Sequence, residues 1–282
     1  MKTAKKKDIK DIKDIRADLY GDYKHIYMLN GLTLSDDYPL YKYMPYNRLV
    51  SSVNNSELVF VSPKSWIDPF ERRFWKTDYS QRYNGFIRPD IACMCLTTKS
   101  TTNEEAAWKM YANSQEKALR ISFTKKSFFD ILEKYAQNNG CKVYVGKAIY
   151  LYDRNAILQL HKQDNVFFPL NNFSIEHYLT LMCLKRKSFA FENEIRVFII
   201  NEKLNWDKNL IKIPATIDKD LISRIMIGPL NPFTNNDPRK SLYNNIQKLE
   251  EEVYKEQLND LIKGCSVQQS QLYTDKKPLT RV

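Results

Sequence analysis

One stretch of this sequence combines strand-like composition with charges at every second position. Residues 189–200 read FAFENEIRVFII, and in an extended chain successive side chains point to opposite faces. Glu192, Glu194 and Arg196 then share one face. The other face is mostly apolar and carries Phe191, Asn193, Ile195, Val197 and Ile199. The pattern predicts a strand over 191–200, anchored on a core, whose charged row either holds a substrate or forms a surface ladder of ion pairs.

Strand-like and helix-like segments alternate along the rest of the chain, which predicts an α+β fold. The predicted strands cover 40–44, 58–62, 91–96, 119–123, 142–151, 222–228 and 266–273, and the predicted helices cover 125–137, 155–187 and 240–263, with another beginning at an Asn103 N-cap. Apolar residues recur at threes near the N-terminus, so residues 1–20 are expected to form an amphipathic helix. We expect a basic helical extension over 1–37 and a single domain over 38–282, with a mixed or antiparallel sheet flanked by helices.

The charge balance is strongly basic. The 282 residues contain 44 Lys and Arg against 33 Asp and Glu, which gives a net charge of +11. Such a field attracts phosphate-rich partners, either nucleic acid or nucleotides. A solvated, charged surface explains the same composition equally well.

The five cysteines are scattered, without a CxxC pair, and the chain has three histidines. This pattern predicts reduced thiols rather than disulfides or a zinc site, and no metal is expected. No apolar run approaches the length of about 20 residues that spans a bilayer. We therefore expect a cytoplasmic protein without a membrane partner.

Several nucleotide-binding and hydrolase motifs are missing. With seven glycines, the sequence contains neither GxGxxG nor GxxxxGK[ST], which disfavours Rossmann and Walker sites. It also lacks GxSxG and HExxH. Carboxylates, tyrosines, arginines and backbone amides remain as the reactive groups.

Short motifs follow one another in a recognisable order. They are LYKY at 40–43, SP at 62–63, WIDPFE at 66–71, WKMYA at 108–112, KSFAFENEIR at 187–196 and IGP at 227–229. In this order they resemble the bacterial domain-of-unknown-function family 2971, from about Leu40 to Tyr273. Asp68, Glu71 and Trp108 are family-motif positions, whereas Met44, Ile67 and Met110 stand where the family pattern has Arg, Asn and His. The resemblance brings no assigned reaction.

Glu192-Asn193-Glu194 also resembles the Glu-x-Glu strand of arginine-specific ADP-ribosyltransferases. This resemblance implies an ADP-ribosyltransferase-like fold with NAD as co-substrate, and a toxin or phage-defence role is consistent with it. Glu194 would stabilise the oxocarbenium-like charge, and Glu192 would orient or deprotonate the acceptor. The cofactor-binding set expected by analogy is Lys42 and Arg48 for pyrophosphate, Tyr43 and Tyr111 for stacking on nicotinamide, Thr97 and Thr98 as lining residues, and Arg196.

Other interpretations remain open for each of these residues. Glu194 and Arg196 could pair structurally with neighbours, Asp68 could cap a turn, and Trp108 with Tyr111 could form a core stripe. In a different class, a basic and aromatic segment could bind nucleic acid; it contains Arg72, Arg73, Phe74, Trp75, Lys76, Tyr79, Arg82 and Tyr83. Convergence of Asp68, Glu192 and Glu194 would instead allow a Mg²⁺-dependent nuclease. A noncatalytic interaction module is the third alternative.

Overall fold

The computed structural model describes residues 15–35, 39–81, 83, 85–98, 104–111, 117–151, 172–204, 206–229 and 240–270. The helices are α1 Tyr46–Asn55, α2 Pro69–Lys76, α3 Glu104–Tyr111, α4 Lys125–Asn139, α5 Ile175–Met182 and α6 Lys240–Leu261, with 3₁₀ helices at Pro63–Ser65 and Lys187–Glu192. The strands are β1 Ala17–Leu19, β2 Ile26–Leu29, β3 Leu40–Pro45, β4 Glu57–Val61, β5 Asp90–Thr97, β6 Ala118–Phe123, β7 Lys142–Lys147, β8 Ile149–Leu151, β9 Leu184–Arg186, β10 Glu194–Asn201, β11 Leu210–Pro214, β12 Ile222–Ile227 and β13 Ser266–Gln269.

The chain divides into two compact units, each built from several segments. The first comprises Met1–Pro39, Glu57–Thr101 and Lys125–Ala215. Its described strands lie in the order β1-β2-β7-β10-β5-β4-β11, and β2 runs parallel to β7 while the other neighbours are antiparallel. A separate parallel pair joins β8 to β9.

The second unit comprises Leu40–Ser56, Thr102–Thr124 and Thr216–Val282. Its described strands lie in the order β3-β6-β12-β13, with β12 and β13 parallel. A small core contains Tyr43, Trp108 and Ala118, so the predicted core role of Trp108 is confirmed. In both units the predicted combination of mixed strand pairing with helices is confirmed.

Strand β10 lies inside the sheet of the first unit, between β5 and β7. Its residues from Glu194 to Ile200 are buried on both faces, so a surface ladder of ion pairs is wrong. The predicted start of this strand at 191 is also wrong. Residues Lys187–Glu192 form a 3₁₀ helix, and Asn193 has a φ of 43°, a left-handed conformation that Asn tolerates better than most residues.

Helix α2 occupies a segment for which the sequence predicted a turn. The Asp68 side chain accepts a hydrogen bond of 2.9 Å from the backbone N–H of Phe70, and Pro69 occupies the first helical turn. Proline suits this position because its missing N–H would have no helical partner there. Glu71 and Phe74 are buried on the inner side of the helix. The capping interpretation of Asp68 is therefore confirmed, although Asp68 caps a helix rather than a turn.

Two helix predictions are wrong within the described residues. Ala17–Leu19 is a strand paired with β2, because pairing to an existing sheet edge satisfies backbone groups that a short, narrow-striped helix would leave exposed. Residues 184–186 form β9 rather than helix, although α5 confirms part of the predicted 155–187 helix. The Asn103 cap, residues 1–14 and residues 152–171 lie outside the described ranges. The predicted division at residue 38 stays a prediction.

Each helix within the described ranges is too short or too polar to span a lipid bilayer.

Candidate functional site

The side chain of Arg196 lies in the first unit and has no solvent exposure. Its Nε donates to Glu194 Oε1 at 3.0 Å, and its Nη2 donates to Glu194 Oε2 at 3.0 Å. The same Nη2 donates to Glu71 Oε2 at 3.0 Å, while Nη1 donates to the backbone carbonyl of Met182. Strand β10 and helix α2 are thereby joined through one cation.

Lys185 on β9 supplies a second buried cation. Its Nζ donates to Glu192 Oε2 and, at 2.8 Å, to Glu194 Oε2. It also lies 3.6 Å from Glu71 Oε1. We call Glu71, Lys185, Glu192, Glu194 and Arg196 the charge cluster. The structure thus brings together both predicted catalytic glutamates, Arg196 and the motif residue Glu71.

Aromatic and polar groups enclose the charge cluster. The guanidinium carbon of Arg196 lies 4.5 Å from the centroid of the Trp66 ring, and Lys185 Nζ lies 5.1 Å from the Phe189 ring. Both distances are within the range of cation–π attraction. The Tyr150 hydroxyl accepts a hydrogen bond of 2.9 Å from the Glu194 backbone N–H. The cluster is therefore packed and shielded from water.

The three carboxyl groups of the charge cluster differ in their pKa values. Burial opposes ionisation of Glu194, but Arg196 and Lys185 outweigh it and lower the pKa of Glu194 to about 2. Burial raises the pKa of Glu192 to about 7, because Lys185 offsets the desolvation only in part and Glu194 adds repulsion. Burial also raises the pKa of Glu71, against the attraction of Arg196 and Lys185. The two cations cannot neutralise all three carboxylates at once. A proton is therefore retained most readily on one of them, Glu192.

One carboxyl oxygen of Glu192 has no hydrogen-bond partner among the described residues. Its Oε2 binds Lys185, whereas its Oε1 is buried and has no hydrogen-bond partner among the described residues. A carboxyl that titrates near neutral pH can accept or donate a proton under physiological conditions. Perturbed groups of this kind concentrate at functional sites. Glu192 is therefore the member of the charge cluster best suited to chemistry.

Thr97 and Thr98 lie beside the cluster but contact its backbone. Thr97 Oγ1 donates to the Glu192 carbonyl, and the Thr98 N–H donates to the Asn193 carbonyl at 3.3 Å. These bonds hold the turn between the 3₁₀ helix and β10. The predicted role of both threonines as cofactor-lining residues stays a prediction.

The remaining predicted cofactor residues belong to the second unit. Lys42 and Tyr43 lie on β3, Arg48 lies on α1 and Tyr111 ends α3. Tyr43 is buried, and its ring packs edge-on against Trp108 at a centroid distance of 4.8 Å. The cofactor-binding roles predicted for these residues stay predictions.

Lys185 is a member of the charge cluster that no sequence pattern indicates. The predicted helix over 155–187 includes this residue, whereas residues 184–186 form a strand whose Lys185 side chain is buried. The segment CLKRK at 183–187 is typical of a solvated basic run, so the sequence contains no signal for the burial of Lys185. The carboxylate partners of Lys185 are Glu71, Glu192 and Glu194. Only the tertiary fold brings these residues close to it.

The predicted basic and aromatic segment separates into two sets of side chains. Phe74, Tyr79 and Tyr83 are buried in the core, and the guanidinium of Arg88 covers the Trp75 ring at 4.5 Å. An aromatic platform for bases is therefore wrong for these residues. The basic residues Arg72, Arg73 and Lys76 line a groove of about 410 Å³ with Pro69 and Thr77. Arg82 lies outside the described residues.

Predicted Mg²⁺ ligands do not converge in the described part of the chain. Glu192 and Glu194 share Lys185, whereas Asp68 Oδ2 accepts a 3.0 Å hydrogen bond from Arg186 Nε. No group of three or more His, Cys, Asp or Glu residues arranged to hold a metal ion is found among the described residues.

Comparisons with known proteins give no match to this chain, neither to a family model, nor to a curated protein, nor to a solved structure. The resemblance to family 2971 stays a prediction that rests on the motif residues.

Proposed function

We propose that the protein is an enzyme whose catalytic carboxyl is Glu192, and that the bond it breaks is the nicotinamide–ribose bond of NAD. The observation that carries the proposal is the state of Glu192. It has a buried oxygen without a described partner, and its pKa is raised to about 7. The choice of NAD, and of an ADP-ribosyltransferase-like architecture, rests on the order Glu192-Asn193-Glu194 alone.

The proposed reaction transfers ADP-ribose to a nucleophilic acceptor. The N-glycosidic bond breaks and nicotinamide leaves with the bonding electrons, which builds positive charge on the ribose. The acceptor atom then bonds to the ribose carbon and gives its proton to Glu192. An ionised carboxylate close to the ribose also stabilises the oxocarbenium-like transition state. Glu192 is suited to both tasks near neutral pH.

Glu194 takes a different role from the one expected by analogy with transferases. Its oxygens already accept hydrogen bonds from Arg196 and Lys185, and it is 2% exposed. Glu194 also accepts a hydrogen bond from Lys185, and it thereby holds in place the cation that donates to Glu192 Oε2. We therefore assign Glu194 as a positioning residue, while Glu192 contacts the substrate.

A substrate can reach Glu192 only if the surrounding structure moves. Glu192 is 5% exposed and ends the 3₁₀ helix Lys187–Glu192, in which Ser188 is exposed and Phe189 and Phe191 are half-buried. A shift of this short helix would uncover the free oxygen for a ligand, in the manner of loops that close over substrates.

The test is nicotinamide release from NAD by wild type, Glu192→Gln, Glu194→Gln and the exposed control Glu202→Gln, with RNA, DNA or lysate protein as acceptors and products identified by mass spectrometry. We expect Glu192→Gln to lose about 100-fold or more in rate, the usual scale of a general base, while Glu202→Gln matches wild type. Because the base must be deprotonated, the wild-type rate should rise with pH through about 7. No release by wild type with any acceptor, or full activity in Glu192→Gln, would refute the proposal.

Unfolding measurements separate catalysis from a purely structural cluster. The pKa of Glu192 in the folded state is raised, so its stabilising protonation is complete below the unfolded value of 4.5 and is lost as pH rises through about 7. The side chain at position 192 cannot titrate in Glu192→Gln. The free energy of unfolding of this variant should therefore rise relative to that of wild type as the pH increases between these two values. A noncatalytic module would show this stability change without any turnover. A toxin or phage-defence effector acting in the cytoplasm is the biological setting that the proposed reaction favours.

A further inference from the structure

Helix α2 has an outer side that takes no part in the charge cluster. Glu71 and Phe74 face inward, and with 3.6 residues per turn the positions on either side of them point outward. This outer side borders the groove of about 410 Å³ lined by Pro69, Arg72, Arg73, Lys76 and Thr77. We call this groove, with its five lining residues, the α2 groove. Three of its five lining residues are cationic and none is acidic.

The cations of the α2 groove differ from those of the charge cluster in lacking carboxylate partners. Lys185 and Arg196 are paired inside the cluster, Arg186 pairs with Asp68, and Lys126 pairs with Asp130 at 2.6 Å. In the described part of the chain no salt bridge reaches Arg72, Arg73 or Lys76, and Arg72 Nε is buried without a hydrogen-bond partner. Like charges three and four residues apart on a helix repel each other. An anionic ligand would remove this repulsion.

We propose that the α2 groove binds the phosphate backbone of a nucleic-acid strand. Arg72 and Lys76 are separated by about 6 Å along the helix axis, which corresponds to about two nucleotides at 3.4 Å per strand position. The two cations therefore match phosphates about two positions apart on one strand. The net charge of +11 draws such a polyanion toward the protein.

The same geometry indicates that the groove does not read bases. Single-stranded nucleic acids are usually held by stacking of bases on exposed aromatic rings. Phe74, Tyr79 and Tyr83 are buried, and Arg88 covers Trp75. Contacts limited to phosphates position a strand but carry no sequence information. Binding is therefore independent of sequence, and both single strands and duplexes are ligands.

The test measures binding of labelled oligonucleotides of two unrelated sequences, as single strands and duplexes, by fluorescence anisotropy over a series of salt concentrations. The variant Arg73→Glu/Lys76→Glu reverses two exposed groove cations. The matched control Lys134→Glu/Lys203→Glu reverses two exposed lysines outside the groove, so that both variants carry the same net charge. Circular dichroism verifies that each variant is folded.

We expect the groove variant to bind at least about tenfold more weakly than the control, with a slope of log K against log salt on duplex that is smaller by about 2, because two phosphate contacts are lost. Both sequences should bind equally. Equal weakening in the two variants would overturn the site, since only the overall charge would then matter. Stronger binding to vesicles rich in anionic lipid than to any oligonucleotide would overturn the proposed ligand.

Discussion

Removal of the Arg196 guanidinium should destabilise the protein severely. Arg196→Met keeps much of the side-chain volume but deletes the donors to Glu194, Glu71 and the Met182 carbonyl. Lys185 would then be the single cluster cation facing three carboxyl groups. Breaking a buried ion pair by removal of one partner costs about 3–5 kcal/mol, because the other charge stays buried without compensation. This cost is a large part of the free energy of unfolding of a typical protein, which is roughly 5–15 kcal/mol.

The destabilisation should depend on pH in a definite direction. Without Arg196, the folded-state pKa of Glu194 is no longer held near 2 but rises above its unfolded value, as burial dictates. A group with a raised folded-state pKa stabilises the fold below its unfolded pKa and loses that contribution as pH rises through the folded value. The cost of Arg196→Met should therefore be larger at about pH 8 than at about pH 5.

Urea denaturation followed by tryptophan fluorescence provides the assay. A loss of this size lowers the urea midpoint by about 1–2 M. The double variant Arg196→Met/Glu194→Gln removes the uncompensated charge with its partner, so part of the stability should return in a double-mutant cycle. A cost below about 1 kcal/mol, or a cost that is equal at both pH values, would refute the assignment of Arg196 as the principal counter-charge of the cluster.

Two further substitutions test the elements that hold the cluster. Asp68→Ala removes the N-cap of α2 and should cost about 0.5–2 kcal/mol in thermal denaturation, whereas Asp68→Asn keeps a capping oxygen and should cost less; equal losses would contradict the cap. Gly146→Ala places a Cβ 2.7 Å from Cys183 Sγ and 2.9 Å from Leu29 Cδ1, so overpacking should cost about 1–3 kcal/mol in urea unfolding. Gly146→Ala in a Cys183→Ala background should cost less, and an unchanged cost would place the strain elsewhere.

Local signals in the sequence predicted several elements correctly. The Asp-Pro pair predicted a capping role for Asp68, which the structure confirms, but it did not predict the helix α2 that this residue caps. The apolar run at 222–228 predicted β12, and the charged helix near 240–263 corresponds to α6. These predictions succeeded because caps and periodicity depend on neighbouring residues.

The strand at 191–200 illustrates a partial success. Alternation predicted correctly that Glu194 and Arg196 share a face, and the structure joins them by two hydrogen bonds. It could not predict the left-handed turn at Asn193, which ends a 3₁₀ helix before the strand begins. It also left open a surface ladder of ion pairs, which is wrong because both faces of β10 are buried.

The sequence by itself determined the strong positive charge, the capping role of Asp68 and the common orientation of Glu194 and Arg196. Only the tertiary structure decided that Glu71 and Lys185 join them, that these charges are buried, and that the cations of the α2 groove stay outside. The physical reason is that backbone periodicity fixes the direction of a side chain relative to its own element. Burial, counter-charges and pKa values depend instead on segments distant in sequence, which pack together only in the folded chain.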